Sequence, residues 1–117
     1  MTGPAQVQIF GTRSCKDTRK AERFFKERRV KIHFVDLKQK AASKGELRRF
    51  AQKFGVDALI DRDSKRFQNL GLRQAHYGEA RWLEILADEP LILKTPLVRS
   101  GNHVSVGHDA AAWSTWG

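Results

Sequence analysis

Residues 9–21 read Ile-Phe-Gly-Thr-Arg-Ser-Cys-Lys-Asp-Thr-Arg-Lys-Ala, and the fold is decided by how they are read. Val7, Ile9 and Phe10 form a short apolar strand that turns through Gly11 and Thr12. Cys15, the only cysteine, then falls where an amphipathic helix begins. The first turn of a helix offers unpaired N–H groups and the positive end of the macrodipole. Both favour a thiolate, and Arg13, Lys16 and Arg19 add positive charge, so the thiol pKa is expected to fall. Arg19 lies one turn above Cys15 on the same helix face. A thiolate, free N–H groups and an arginine could together hold an oxyanion. The plainer alternative is a small apolar residue packed at a strand–helix junction.

Outward from this stretch, the first helix is predicted from about Ser14 to Arg28, with Phe24 and Phe25 facing a sheet. Lys31 to Asp36 follows as a second strand. Strand, helix and strand in about thirty residues make a βαβ unit with parallel strands and a right-handed crossover. Ser43-Lys-Gly-Glu46 is a capping box that opens a helix through Leu47, Phe50, Ala51 and Phe54, stopped by Gly55. Short helical pieces at Asp57 to Ile60 and Lys65 to Leu70 precede another helix from Glu79 to Ala87. No strand interrupts them, so residues of about 43–88 read as a helical insertion. Leu91 to Leu93 and Leu97-Val98 form an apolar run around Lys94-Thr95-Pro96. Ser100 to His103 then turns a hairpin into Val104 to Val106. Asp109 caps a closing helix from Ala110 to Trp116.

At 117 residues the chain is long enough for one core, so residues 1–117 are expected to be a single domain. No apolar run approaches the roughly 20 residues that span a bilayer, and the N-terminal Met-Thr-Gly-Pro-Ala-Gln lacks the marks of a secretion signal. One cysteine suits a reducing cytoplasm, and any disulfide it makes must be with another molecule. The formal charge of +9 attracts anions. Without zinc-finger spacing, an RNA-binding aromatic motif or a basic tail, nucleic acid is an unlikely partner, and solvated helix faces account for most of the charge. His33, His76, His103 and His108 are spaced too widely for a metal site. Pro96, inside a strand-like run, requires an edge, a strand start or a special turn.

Cys15-Lys-Asp-Thr18-Arg19-Lys20-Ala21 after Phe-Gly-Thr, together with Leu93-Lys-Thr-Pro96-Leu-Val-Arg99, resembles the arsenate reductase (ArsC)/Spx family over about residues 6–116. The resemblance implies an α/β thioredoxin-like fold: a mixed four-stranded sheet in the order β-α-β…β-β-α, with a helical insertion. It makes Cys15 the nucleophile, puts Thr18 where relatives carry a second cysteine or a serine, and has Arg19 stabilise charge. It also implies a cis bond at Thr95-Pro96, with backbone available to a partner. Related reductases hold their anion with three arginines. Arg62 is the best match to the first, with Asp61 the alternative. Thr95 replaces the second, with Lys94 beside it, and the third falls near Ser105 or Val106. Arg99 or Lys94 could compensate.

The implied function is thiol-dependent oxidoreduction of a small oxyanion or a disulfide. No cofactor is bound, and glutathione or glutaredoxin resolves the adduct from outside. Weak arsenate reduction is expected from the missing arginines. The alternatives are an Spx-like transcription regulator that binds RNA polymerase and a family member without turnover.

Overall fold

The computed structural model describes residues 4–116. Met1 to Gly3, which belong to the stretch read for a secretion signal, and Gly117 lie outside the described residues. The chain divides into two compact units, Met1–Asp36 with Thr95–Gly117, and Leu37–Lys94.

The first unit is built on a four-stranded sheet. Strand β1 (Gln6–Gly11) leads to helix α1 (Lys16–Glu27) and strand β2 (Lys31–Asp36). Strands β3 (Leu97–Ser100) and β4 (His103–Val106) form the C-terminal hairpin. The strand order is β2-β1-β3-β4, with β1 parallel to β2 and antiparallel to β3. Alternation fixes the faces: Val7 and Ile9 of β1 meet Val98 of β3 in one core with Ala21 and Phe25 of α1. The closing helix, Ala110–Trp113, adds Trp113, and Trp116 follows it into the same core. The Trp113 indole donates to Ser105 Oγ at 2.7 Å, so burying that ring leaves no N–H unpaired. This is the thioredoxin-like order expected from the resemblance, with a helical insertion between β2 and β3.

Helix α1 ends in a Schellman arrangement. Val30 N–H donates to Phe25 O and Arg29 N–H to Lys26 O, and Arg29 takes the left-handed conformation at φ 58° that glycine adopts most readily. The closing helix is shorter than its sequence suggested. The hydroxyls of Ser114 and Thr115 donate to the carbonyls of Ala111 and Ala112, an alternative to continued helical pairing.

The second unit contains α2 (Lys44–Phe54), α3 (Lys65–Asn69) and α4 (Glu79–Asp88), with 3-10 turns at Val56–Leu59 and Pro90–Ile92. Leu47, Phe50, Leu59, Phe67, Leu86 and Ile92 are all fully or almost fully buried. Leu91 to Leu93 departs from the strand-like reading. Pro90 opens a 3-10 turn there, and pairing shrinks to one bridge between Leu93 and Ile60, so β3 begins only after Pro96. No helix among the described residues is long and apolar enough to cross a membrane.

Candidate active site

Cys15 is the N-cap of α1, with extended backbone at φ −81° and ψ 122°. Its N–H donates to Thr12 O at 3.0 Å and its carbonyl accepts from Arg19 N–H at 3.1 Å, so the turn and the first helical bond fix the residue from both sides. An N-cap side chain faces the N–H groups of the second and third helical residues. Here those are Asp17 and Thr18, and a sulfur replaces the usual cap oxygen.

The cis Thr95-Pro96 peptide brings a second group to the thiol. The Thr95 hydroxyl donates to Cys15 Sγ at 3.1 Å, and the Thr95 carbonyl lies 3.8 Å from the same sulfur. One residue can therefore serve both protonation states, with the carbonyl accepting from S–H and the hydroxyl donating to S⁻. The bond closing β3 onto its hairpin partner runs from Gly107 N–H to Pro96 O at 2.8 Å.

Thr18 completes the site. It is fully buried, and its Oγ1 has no partner within ordinary hydrogen-bond geometry, yet it is near enough to the sulfur to favour the anion. Gly11 makes room for it: a Cβ at Gly11 would lie 2.5 Å from Thr18 Oγ1 and 2.7 Å from its Cγ2. Partial burial alone would push the Cys15 thiol up. The donors that a thiolate can draw on, the hydroxyls of Thr18 and Thr95 and the backbone N–H groups of Thr18 and Asp17, outweigh it, and the pKa is lowered.

The direction agrees with the sequence reading, and so does the share of the helix-start N–H groups of Asp17 and Thr18; two of the cations it also counted are engaged elsewhere. Arg19 donates to the Arg13 carbonyl at 2.8 Å. Arg13 pairs with Glu22 at 3.3 Å and lies over the Phe34 ring. Arg99 Nε donates to Gly101 O, and the residue lines a hollow of about 310 Å³ with Gln8 and His33. In the helical unit, Arg62 pairs with Asp57 at 3.1 Å and lies near the rings of Phe67 and Trp82. Lys94 is exposed, with its N–H on Leu59 O. The first unit thus gathers Cys15, Thr18, Thr95 and Pro96 at one point, while Arg19 and Arg99 are engaged with main-chain carbonyls. From sequence, Thr95 takes a backbone role beside Pro96 and the place of a lost arginine, with no sign that its hydroxyl donates to the sulfur. Among the described residues no cluster of His, Cys, Asp and Glu could hold a metal.

Residues 10–116 match the ArsC family. The chain belongs to the ArsC family. Two curated relatives and one solved structure frame its place in it. The uncharacterized protein YusI of Bacillus subtilis (strain 168) is 29% identical, covering 80% of this chain and 82% of that protein. The global transcriptional regulator Spx 2 of Oceanobacillus iheyensis is 28% identical, covering 87% of this chain and 76% of the regulator. An arsenate reductase from Vibrio cholerae superposes with a TM-score of 0.81 at 16% identity, covering 97% and 98% of the two chains. This ArsC-family member therefore has the fold of arsenate reductases, with sequence similarity that reaches a regulator.

Proposed function

We propose that the protein is a thiol-dependent oxidoreductase in which Cys15 is the nucleophile and an external thiol resolves the adduct. The observation that carries this reading is the Thr95 hydroxyl at 3.1 Å from Cys15 Sγ, beside the unpartnered hydroxyl of Thr18. Both donors are more valuable to a thiolate than to a thiol. The thiolate attacks one sulfur of a disulfide, forms a mixed disulfide and expels the other half as a thiolate. Glutathione, directly or through glutaredoxin in a reducing cytoplasm, then attacks the adduct sulfur, forms a disulfide with it and returns Cys15 as a thiolate. A second external thiol attacks the donor sulfur of that disulfide, expels the remaining substrate half as a thiolate and leaves the donor as a disulfide. Two electrons pass from the external thiols, and the single cysteine needs no internal partner. A small oxyanion such as arsenate is the poorer substrate, because Thr95 stands where related reductases carry an arginine.

The test is intact mass after mild exposure to oxidised glutathione, followed against pH. One glutathione on Cys15, formed with a transition below the ordinary 9.0 of the thiol and removed by glutaredoxin, is expected. A thiol that reacts only after denaturation would overturn the reading. The similarity to Spx 2 supports a second reading, a regulator that binds RNA polymerase. Binding of purified RNA polymerase that survives Cys15→Ser, without any mixed disulfide in the wild type, would favour it.

A further inference from the structure

The positive charge is not evenly spread. Arg13 to Lys31 carries nine Lys and Arg against three Asp and Glu, a surplus of six out of the chain's nine. All nine of those cationic residues are exposed. Helical spacing sets Lys16, Arg19, Lys20, Arg23 and Lys26 opposite the buried Thr18, Ala21 and Phe25, so the outer face of α1 is a cationic ridge. Of the three acids, Glu22 is paired with Arg13, Asp17 is half-buried in the first turn, and only Glu27 interrupts the ridge, at its far end. Helix α1 has twelve residues, about 18 Å of length, the scale of a patch on a small protein. The ridge starts at the residue after the thiol.

We infer that this face of α1 docks an acidic dithiol protein that reduces the Cys15 mixed disulfide. The inference rests on the thiol reading above. The ridge is of one sign, so an acidic partner is attracted and steered to it. Its end lies at Cys15, so a partner seated there brings its own thiolate to the adduct. A nucleic acid would satisfy the charge but carries no group that can take part in the exchange. In the step, one thiolate of the partner attacks the adduct sulfur, the bond to Cys15 breaks, and Cys15 leaves as a thiolate. The partner's second thiol then closes its own disulfide and releases the adduct as a thiol, so the partner loses the two electrons that the mixed disulfide gains.

The experiment loads Cys15 with glutathione by an activated glutathione reagent, which makes it independent of spontaneous reaction. Reduction is timed with an acidic glutaredoxin and separately with uncharged dithiothreitol, at low and at high salt. For the wild type we expect the glutaredoxin rate to fall about tenfold or more with salt, and the dithiothreitol rate to stay constant. K20E/R23E/K26E should lose about tenfold at low salt with glutaredoxin only. K20Q/R23Q/K26Q, which adds no repulsion, should fall between the two. Equal, salt-independent glutaredoxin rates in all three proteins would overturn the docking surface. So would ridge-dependent binding of a 20-base-pair duplex with glutaredoxin rates unchanged. A Cys15 that never reacts with oxidised glutathione, in a protein whose loaded form still shows the ridge effect, would instead count against the thiol reading.

Discussion

Two helix starts in this chain are built from the same geometry and finished differently. At α2, Ser43 is the N-cap, and the pairing is reciprocal: Ser43 Oγ accepts from Glu46 N–H at 3.1 Å, and Glu46 accepts from Ser43 N–H at 3.0 Å. At α1, Cys15 is the N-cap and makes no side-chain cap hydrogen bond. The first arrangement satisfies its donors and fixes where a helix begins. The second leaves donors to a group that becomes a strong acceptor only when it loses its proton. A satisfied cap gives stability, whereas an unsatisfied one with a sulfur in it supplies a place for negative charge.

The largest effect expected from breaking this contrast is on arsenate chemistry. If the α1 start is tuned for its own thiolate and not for a bound oxyanion, arsenate turnover coupled to glutathione and glutaredoxin should be weak or absent. The resemblance puts two arginine positions of related reductases at Thr95 and, approximately, Val106. Each lost charged hydrogen bond costs about 1.5–3 kcal/mol, together roughly two to four powers of ten in rate if additive. Thr95→Arg should recover about one to two of them. Wild-type turnover in the ordinary range of about 1–1000 per second would show that hydroxyls and N–H groups suffice.

Much of this arrangement was legible in the residues, for local reasons. Gly11, Cys15 and the basic run after it marked a strand, a turn and a helix start within a few residues. The Ser43/Glu46 box was written in sequence and is present in both directions. What was not legible depends on long separation or on rotamer choice. Thr95 is eighty residues from Cys15, and only the folded chain directs its hydroxyl to the sulfur. Helical spacing sets Arg19 one turn after Cys15, and its N–H does bond the Cys15 carbonyl, but spacing does not direct a long side chain, and the guanidinium donates to the Arg13 carbonyl. Leu91 to Leu93 had the composition of a strand, and Pro90 at the head of a 3-10 turn overrode it.

The next effect sharpens the role of the two hydroxyls. Thr95→Val removes the donor to the sulfur, and Thr18→Val removes a hydroxyl that only the anion draws on, each with little change of shape, so each should raise the thiol pKa. Alkylation at pH 7 should slow about three- to tenfold per variant, less than the loss of thiolate, because a more basic thiolate is intrinsically more reactive. Stability separates them. Thr18 Oγ1 is buried without a partner, and replacing such a group by an isosteric apolar one is neutral or stabilising. Thr18→Val should therefore be at least as stable as the wild type at pH 6. The sign at high pH is opposite. Folding lowers the Cys15 pKa from 9.0, so the thiolate contributes stability that is complete above about pH 9 and is lost as pH falls through the folded value. Thr18→Val forfeits part of that contribution, so its advantage should shrink between pH 6 and pH 9. An advantage that is constant with pH would mean that Thr18 does not favour the anion.

The smallest effect is the control on the other helix start. Ser43→Ala removes the acceptor for Glu46 N–H, and loss of a Ser cap typically costs about 1 kcal/mol. Glu46 should recover little of it, because its bond to Ser43 N–H holds the same turn from the other direction and cannot satisfy its own N–H. Chemical denaturation should report this loss equally at pH 6 and pH 9, since a serine hydroxyl does not titrate in that range. The alkylation profile of Cys15 should be unchanged in the same protein. If the Cys15 profile moved with Ser43→Ala, the two helix starts would be coupled through the fold, and the division between a cap that stabilises and a cap that reacts would fail.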